Sequence, residues 1–138
     1  MRPVNLFLTE DGVLKLGYYG LTTQAECYSI RKTDCYGIRS FAPEVFKGEY
    51  EMKSDVWSFG TVLLEMLGIT PFVEYATDKL PTMNDDFEPP FDEDSIESSE
   101  LVDFLNKCFE EKVSERSNVN ELMNVSMVRW RMMSSIHL

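Results

Sequence analysis

The chain has 138 residues, 43% hydrophobic and 12% aromatic, enough for the packed core of one domain or of part of one. Its 24 acidic against 13 basic residues leave a formal net charge of −11, which excludes nucleic acid and anionic membrane as partners, since both bind basic faces. The three cysteines (Cys27, Cys35, Cys108) form no C-x-x-C pair and the one histidine is His137, so neither a disulfide frame nor a histidine-based metal or nucleophile site is expected.

Met1-Arg2-Pro3 leads at once into strand-like sequence, so no signal peptide is expected, and reduced thiols fit a cytoplasmic or nuclear protein. Asn5-Leu6-Phe7-Leu8 and Val13-Leu14-Lys15-Leu16 are short apolar runs joined by Thr9-Glu10-Asp11-Gly12. The Asp-Gly pair supplies the positive φ of a hairpin turn. Residues 21–41 are polar, and the hydroxyls of Thr22, Thr23, Tyr28, Ser29, Thr33 and Tyr36 read as a solvated loop.

From Lys53 to Gly68 the pattern is a helix. Ser54 or Asp55 can cap its start, and Gly68 with Pro71 just beyond supplies the stop. Val56, Trp57, Phe59, Val62, Leu63, Leu64, Met66 and Leu67 cover nearly its whole circumference. The run falls short of the ~20 residues of a membrane span and is interrupted by Asp55 and Glu65, so it is expected to be the central pillar of a core.

Between Asn84 and Glu100 eight acidic residues occur with no basic one, which reads first as a solvated loop and second as a dock for basic peptides. Leu101, Phe104, Leu105, Cys108 and Phe109 then recur at helical spacing, with Ser98 or Ser99 as cap. Asn118 and Glu121 form a capping pair for a last helix carrying Val119, Leu122 and Met123.

Lys53-Ser54-Asp55-Val56-Trp57-Ser58-Phe59-Gly60, continuing to Leu64-Glu65-Met66, resembles the central helix in the large lobe of eukaryotic protein kinases. Ala42-Pro43-Glu44 is similar to the A-P-E that closes their activation segment, and Gly68-Ile69-Thr70-Pro71-Phe72 to the turn that follows. Arg116 matches the arginine that pairs with the A-P-E glutamate in that family, here Glu44. Residues 5–16 look like the strand pair that carries metal-binding groups.

The resemblance implies a mainly α fold with a short β-hairpin, a partial kinase C-terminal lobe built around one buried helix. Its domain reading is 1–128 for the lobe, from just after the catalytic aspartate position to the last helix, and 129–138 for a C-terminal tail. Aligning the asparagine of H-R-D-x-K-x-x-N with Asn5 puts the catalytic aspartate immediately before Met1, so no catalytic residue is assigned. Asn5 remains a possible magnesium-ligand position. Tyr18-Tyr19-Gly20 stands where the family has D-F-G, so Tyr18 occupies the place of the metal-binding aspartate and is not expected to bind metal. Asp55 matches an aspartate that anchors the catalytic loop. Gly37-Ile38-Arg39-Ser40 compares with both serine/threonine and tyrosine kinase patterns, so substrate class stays open.

Functionally, the resemblance implies a pseudokinase-like segment without catalysis that acts through protein binding. The alternative is an incomplete part of an active ATP-dependent kinase that phosphorylates protein hydroxyls, and a helical interaction module unrelated to kinases comes third. No cofactor is expected for the chain itself, ATP and magnesium being properties of the family. The partner is another protein or an N-terminal kinase lobe. Without one, part of the Val56, Phe59, Leu63 and Met66 surface is expected to stay uncovered.

Overall fold

The computed structural model describes residues 3–17, 39–71 and 89–125. Strands β1 (Leu6–Leu8) and β2 (Leu14–Leu16) form one antiparallel hairpin. Among the described residues four helices follow: α1 (Pro43–Phe46), α2 (Met52–Met66), α3 (Ser99–Cys108) and α4 (Val119–Leu122). Single 3-10 turns lie at Pro3–Asn5 and Glu93–Ser95. The chain is thus mainly helical with a two-stranded hairpin, as its sequence pattern leads one to expect. No helix among the described residues is long and apolar enough to cross a membrane.

The hairpin register pairs Leu6 with Leu16, Phe7 with Lys15 and Leu8 with Leu14. Gly12 takes φ +81° and donates its N–H to the Thr9 carbonyl at 2.9 Å, the left-handed corner that the Asp-Gly pair foreshadows. The Thr9 hydroxyl closes the loop further, donating to the Val13 carbonyl at 3.0 Å and accepting the Val13 N–H at 2.9 Å. Most of the hairpin's large apolar side chains are exposed, Leu8 and Leu14 among them.

Helix α2 starts earlier than the sequence suggests. Its N-cap is Glu51, not Ser54 or Asp55. Ser54 sits at the third helical position and accepts the Glu51 N–H on its hydroxyl at 3.2 Å, satisfying one orphan donor from inside the helix. The other end is as expected. Gly68 at φ +79° lets its own N–H reach the Glu65 carbonyl (3.1 Å) and the Ile69 N–H reach the Leu64 carbonyl (2.9 Å). These paired bonds close the last turn in a Schellman motif.

Two apolar clusters flank α2. Trp57 and Leu64 pack with Ala42, Phe91, Leu105 and Phe109. Val56 packs with Phe104, Cys108, Leu122 and Val125, with Phe59 and Leu63 half-buried beside them. The expectation that Val56 stays uncovered is therefore wrong, because α3 and α4 supply its cover. Nor is α2 buried all round, since Met66 is 73% and Leu67 48% exposed. On α4 only Leu122 turns inward, while Val119 and Met123 face outward. Part of the acidic stretch is anchored rather than simply solvated. Phe91 is in the core, Ile96 packs against it, and Asn106 of α3 donates to the Glu93 carboxylate at 2.7 Å. Cys108 is a free, buried thiol whose pKa burial raises to about 12, which makes it unreactive. Cys27 and Cys35 lie outside the described residues, as do the hydroxyls of residues 22–36.

The end of α3 packs tightly against α2 at Gly60. A Cβ built there would lie 2.8 Å from the Phe109 ring and 2.9 Å from the Cys108 Cβ. In an isolated helix Gly→Ala gains about 1 kcal/mol. Here the overpacking cost of about 1–3 kcal/mol should win, because the Cβ of Cys108 cannot move without its backbone. Gly60→Ala is therefore expected to lower the urea midpoint of the chain, and a raised midpoint would show that α3 can slide.

Candidate functional site: a buried tether and the end of the hairpin

Glu44 lies in α1, a one-turn helix that Pro43 opens with its preset φ. Seventy-two residues on, Arg116 follows the turn in which the Lys112 carbonyl accepts the N–H groups of Glu115 and Arg116, both at 2.9 Å. Both side chains are buried, and they meet as a fork. Arg116 Nη1 donates to Glu44 Oε1 at 2.7 Å, and Nη2 to Oε2 at 3.0 Å.

The remaining guanidinium donors are also used. Nε donates to the Glu110 carbonyl (2.8 Å), Nη1 to the Lys53 carbonyl (3.1 Å) and Nη2 to the Glu111 carbonyl (3.2 Å). All five N–H donors of an arginine are thereby satisfied, the condition for burying such a charge. The guanidinium carbon also stands 5.0 Å from the centre of the Trp57 ring, a cation–π distance. On the acid side, Ser54 donates its hydroxyl to Glu44 Oε1 at 2.6 Å. Lys53 adds a reciprocal link from Nζ to the Ser114 carbonyl at 3.1 Å. The knot therefore joins α1, the start of α2 and the loop after α3.

Sequence reading pairs Glu44 with Arg116 but overlooks Ser54, whose place as an inward-looking capping residue was the available signal. Asp55 is exposed in the first turn of α2 and adds nothing to the guanidinium cage, whose donors all go elsewhere.

Burial by itself pushes the Glu44 carboxyl up. Hydrogen bonds from Arg116 and Ser54, with the guanidinium charge, outweigh it and hold the pKa below the ordinary glutamate value. A carboxylate with a lower pKa in the folded state stabilises the fold above its unfolded-state pKa of about 4.3. That contribution is lost as pH falls through the folded value. The stability gap between the wild-type chain and Glu44→Gln should therefore narrow below about pH 4.3. Urea titrations at neutral and acid pH check this, and a gap independent of pH would contradict it.

At the other end of the chain, Asn5 closes the first 3-10 turn and is half-buried. Its backbone carbonyl accepts the Gly17 N–H at 2.8 Å, so the hairpin carries the residue just before Tyr18 alongside Asn5. Tyr18 itself lies outside the described residues. Among the described residues no group of three or more His, Cys, Asp or Glu side chains is placed to hold a metal ion.

Comparison with known proteins gives a consistent picture. The family model described as the protein kinase domain matches residues 1–128. The serine/threonine-protein kinase Nek9 of Xenopus laevis is 29% identical over 137 residues, covering 95% of this chain and 14% of the relative. Mitogen-activated protein kinase kinase kinase 1b of Physcomitrium patens is 31% identical over 126 residues, 89% of this chain and 16% of its own. The serine/threonine-protein kinase hippo of Drosophila melanogaster is 29% identical over 133 residues, covering 94% and 20% respectively. The chain spans a fifth or less of the length of these curated relatives.

Proposed function

The chain belongs to the protein kinase domain family, and from that premise we propose that it is a C-terminal-lobe segment that does not transfer phosphate and works by binding other proteins. Tyr18 carries this reading. Phosphoryl transfer in the family relies on positioning and on charge stabilisation by metal ions that bridge the nucleotide phosphates, and the D-F-G aspartate holds those ions. A phenol with a pKa near 10 is neutral at pH 7 and offers a hard cation no charge.

The donor set at the end of the hairpin does not fit magnesium. Asn5 supplies one neutral amide oxygen and Tyr18 a neutral phenol, where a dication bound through phosphates also needs carboxylate. The carboxyls of the hairpin turn, Glu10 and Asp11, are both exposed. The tether is independent of this chemistry. In this reading Glu44 and Arg116 hold the end of the activation segment against the helices whether or not a nucleotide is bound, which leaves a shaped surface for a partner.

The names of the relatives place them among serine/threonine kinases, so we assign the chain to that branch rather than to the tyrosine kinases. Titration calorimetry of the chain with magnesium–ATP is expected to show no heat of binding at millimolar nucleotide. Binding that depends on magnesium would support the alternative, a part of an active kinase.

A further inference from the structure

The sequence holds a single Asp-Gly step, Asp11-Gly12, and no Asn-Gly. The bond from the Gly12 N–H to the Thr9 carbonyl (2.9 Å) makes residues 9–12 a β-turn with Asp11 at its third position. Asp11 and Gly12 are both exposed, and no atom lies within 4 Å of a Cβ built on Gly12. Thr9 is a partner in four bonds across this turn. Its carbonyl holds Gly12, its N–H donates to the Val13 carbonyl (3.0 Å), and its hydroxyl both donates to that carbonyl (3.0 Å) and accepts the Val13 N–H (2.9 Å).

We propose that Asp11 is a site of spontaneous isoaspartate formation and that Thr9 is the residue restraining it. The only co-reactant is water. The Gly12 backbone nitrogen attacks the carboxyl carbon of the Asp11 side chain and a C–N bond forms. The carboxyl hydroxyl leaves with the N–H proton as water, which closes a five-membered succinimide. Water then opens the ring at one of its two carbonyls, and no atom is oxidised or reduced. Attack at the side-chain carbonyl restores aspartate. Attack at the main-chain carbonyl leaves a free α-carboxylate and a backbone that runs through the side-chain carbon. A Cβ on the attacking residue would crowd the ring, and glycine has none. Two features hold the reaction back. At neutral pH nearly all of the carboxyl is ionised and a poor electrophile, so only the protonated minority reacts. The attacking N–H is also tied to Thr9, so the turn must first open, and the four Thr9 bonds set how often it does. The product has one more backbone atom in the loop that sets the pairing of Leu8 with Leu14, so the hairpin loosens as the protein ages.

The test ages the full polypeptide, as cells make it, at body temperature and pH 5, where more of the carboxyl is protonated than at neutral pH. Proteolytic peptides are separated at intervals, and isoaspartate is read by electron-transfer fragmentation and by methylation with an isoaspartyl methyltransferase. Asp94, followed by Ser95 and also exposed, is the internal reference. Isoaspartate is expected to accumulate at Asp11 at least about threefold faster than at Asp94, because serine carries a Cβ. Thr9→Val keeps the branched shape but loses both hydroxyl bonds, and should speed the change at Asp11 about fivefold while leaving Asp94 as it was. Asp11→Glu should abolish it, since a glutamate would have to close a larger ring. No excess at Asp11 over Asp94 in the wild-type protein would overturn the proposal. An unchanged rate in Thr9→Val, or an equal rise at both sites, would remove the role given to Thr9. Neither result bears on whether the protein transfers phosphate.

Discussion

Replacing Arg116 with alanine is expected to destabilise the chain by about 3–5 kcal/mol, because it leaves the buried Glu44 carboxylate facing carbonyls without its counter-charge. A fall of this size would take up much of the about 5–15 kcal/mol by which a domain is stable. Glu44→Gln should cost less, since an amide can still accept from Ser54 and from one guanidinium nitrogen. The double variant should lose less than the sum of the two, with a coupling of more than about 1 kcal/mol for groups in direct contact. Arg116→Lys is expected to behave nearly as badly as alanine, because an ammonium cannot form the fork to both carboxylate oxygens while also reaching three carbonyls. Coupling near zero in the urea-derived cycle would show that the contact is incidental.

The second large effect is expected at Trp57. Its side chain is 1% exposed, meets Phe109 edge to face at 5.2 Å and carries the Arg116 guanidinium on its ring. Trp57→Ala should cost about 3–5 kcal/mol through lost transfer energy and the cavity left behind. It also removes one wall of the arginine cage, so its effect should not add to that of Arg116→Ala. Trp57→Phe keeps an aromatic surface against Phe109 and should recover a good part of the loss. A midpoint for Trp57→Ala close to the wild-type value would mean that the two clusters fold independently of this residue.

These two residues also mark what was legible in the sequence. The hairpin could be read because Asp11-Gly12 specifies a turn on its own, and the end of α2 because Gly68 does the same. Local chemistry decides such features, so a single stretch of sequence suffices. The start of α2 was misread for a related reason. Ser54 is a good capping residue at either the N-cap or the third helical position, and only the neighbouring Glu44 carboxylate, ten residues away in sequence, explains which.

Burial around α2 was harder to read. The apolar count could not tell which side of the helix would be covered, so Val56 was expected to be open and turned out closed, while Met66 stands open. That distinction depends on where α3 and α4 come to rest, and the contact of Cys108 and Phe109 with Gly60 is set by shapes far apart in sequence. The partners of Arg116 beyond Glu44 are backbone carbonyls, which carry no sequence signature at all. Of the residues singled out for function, Glu44 and Arg116 are brought together, Asn5 lies beside Gly17, and Asp55 is in the first turn of α2.

The most direct measurement of the central claim is transfer of radiolabelled phosphate from magnesium–ATP to a basic test protein, using the polypeptide at whatever length its own cells produce. On the proposed reading, in which Tyr18 takes the place of the metal-binding aspartate, the protein is expected to transfer nothing above a heat-inactivated control. Transfer that proceeds with Tyr18 in place, depends on magnesium and falls away with Tyr18→Ala would contradict the account.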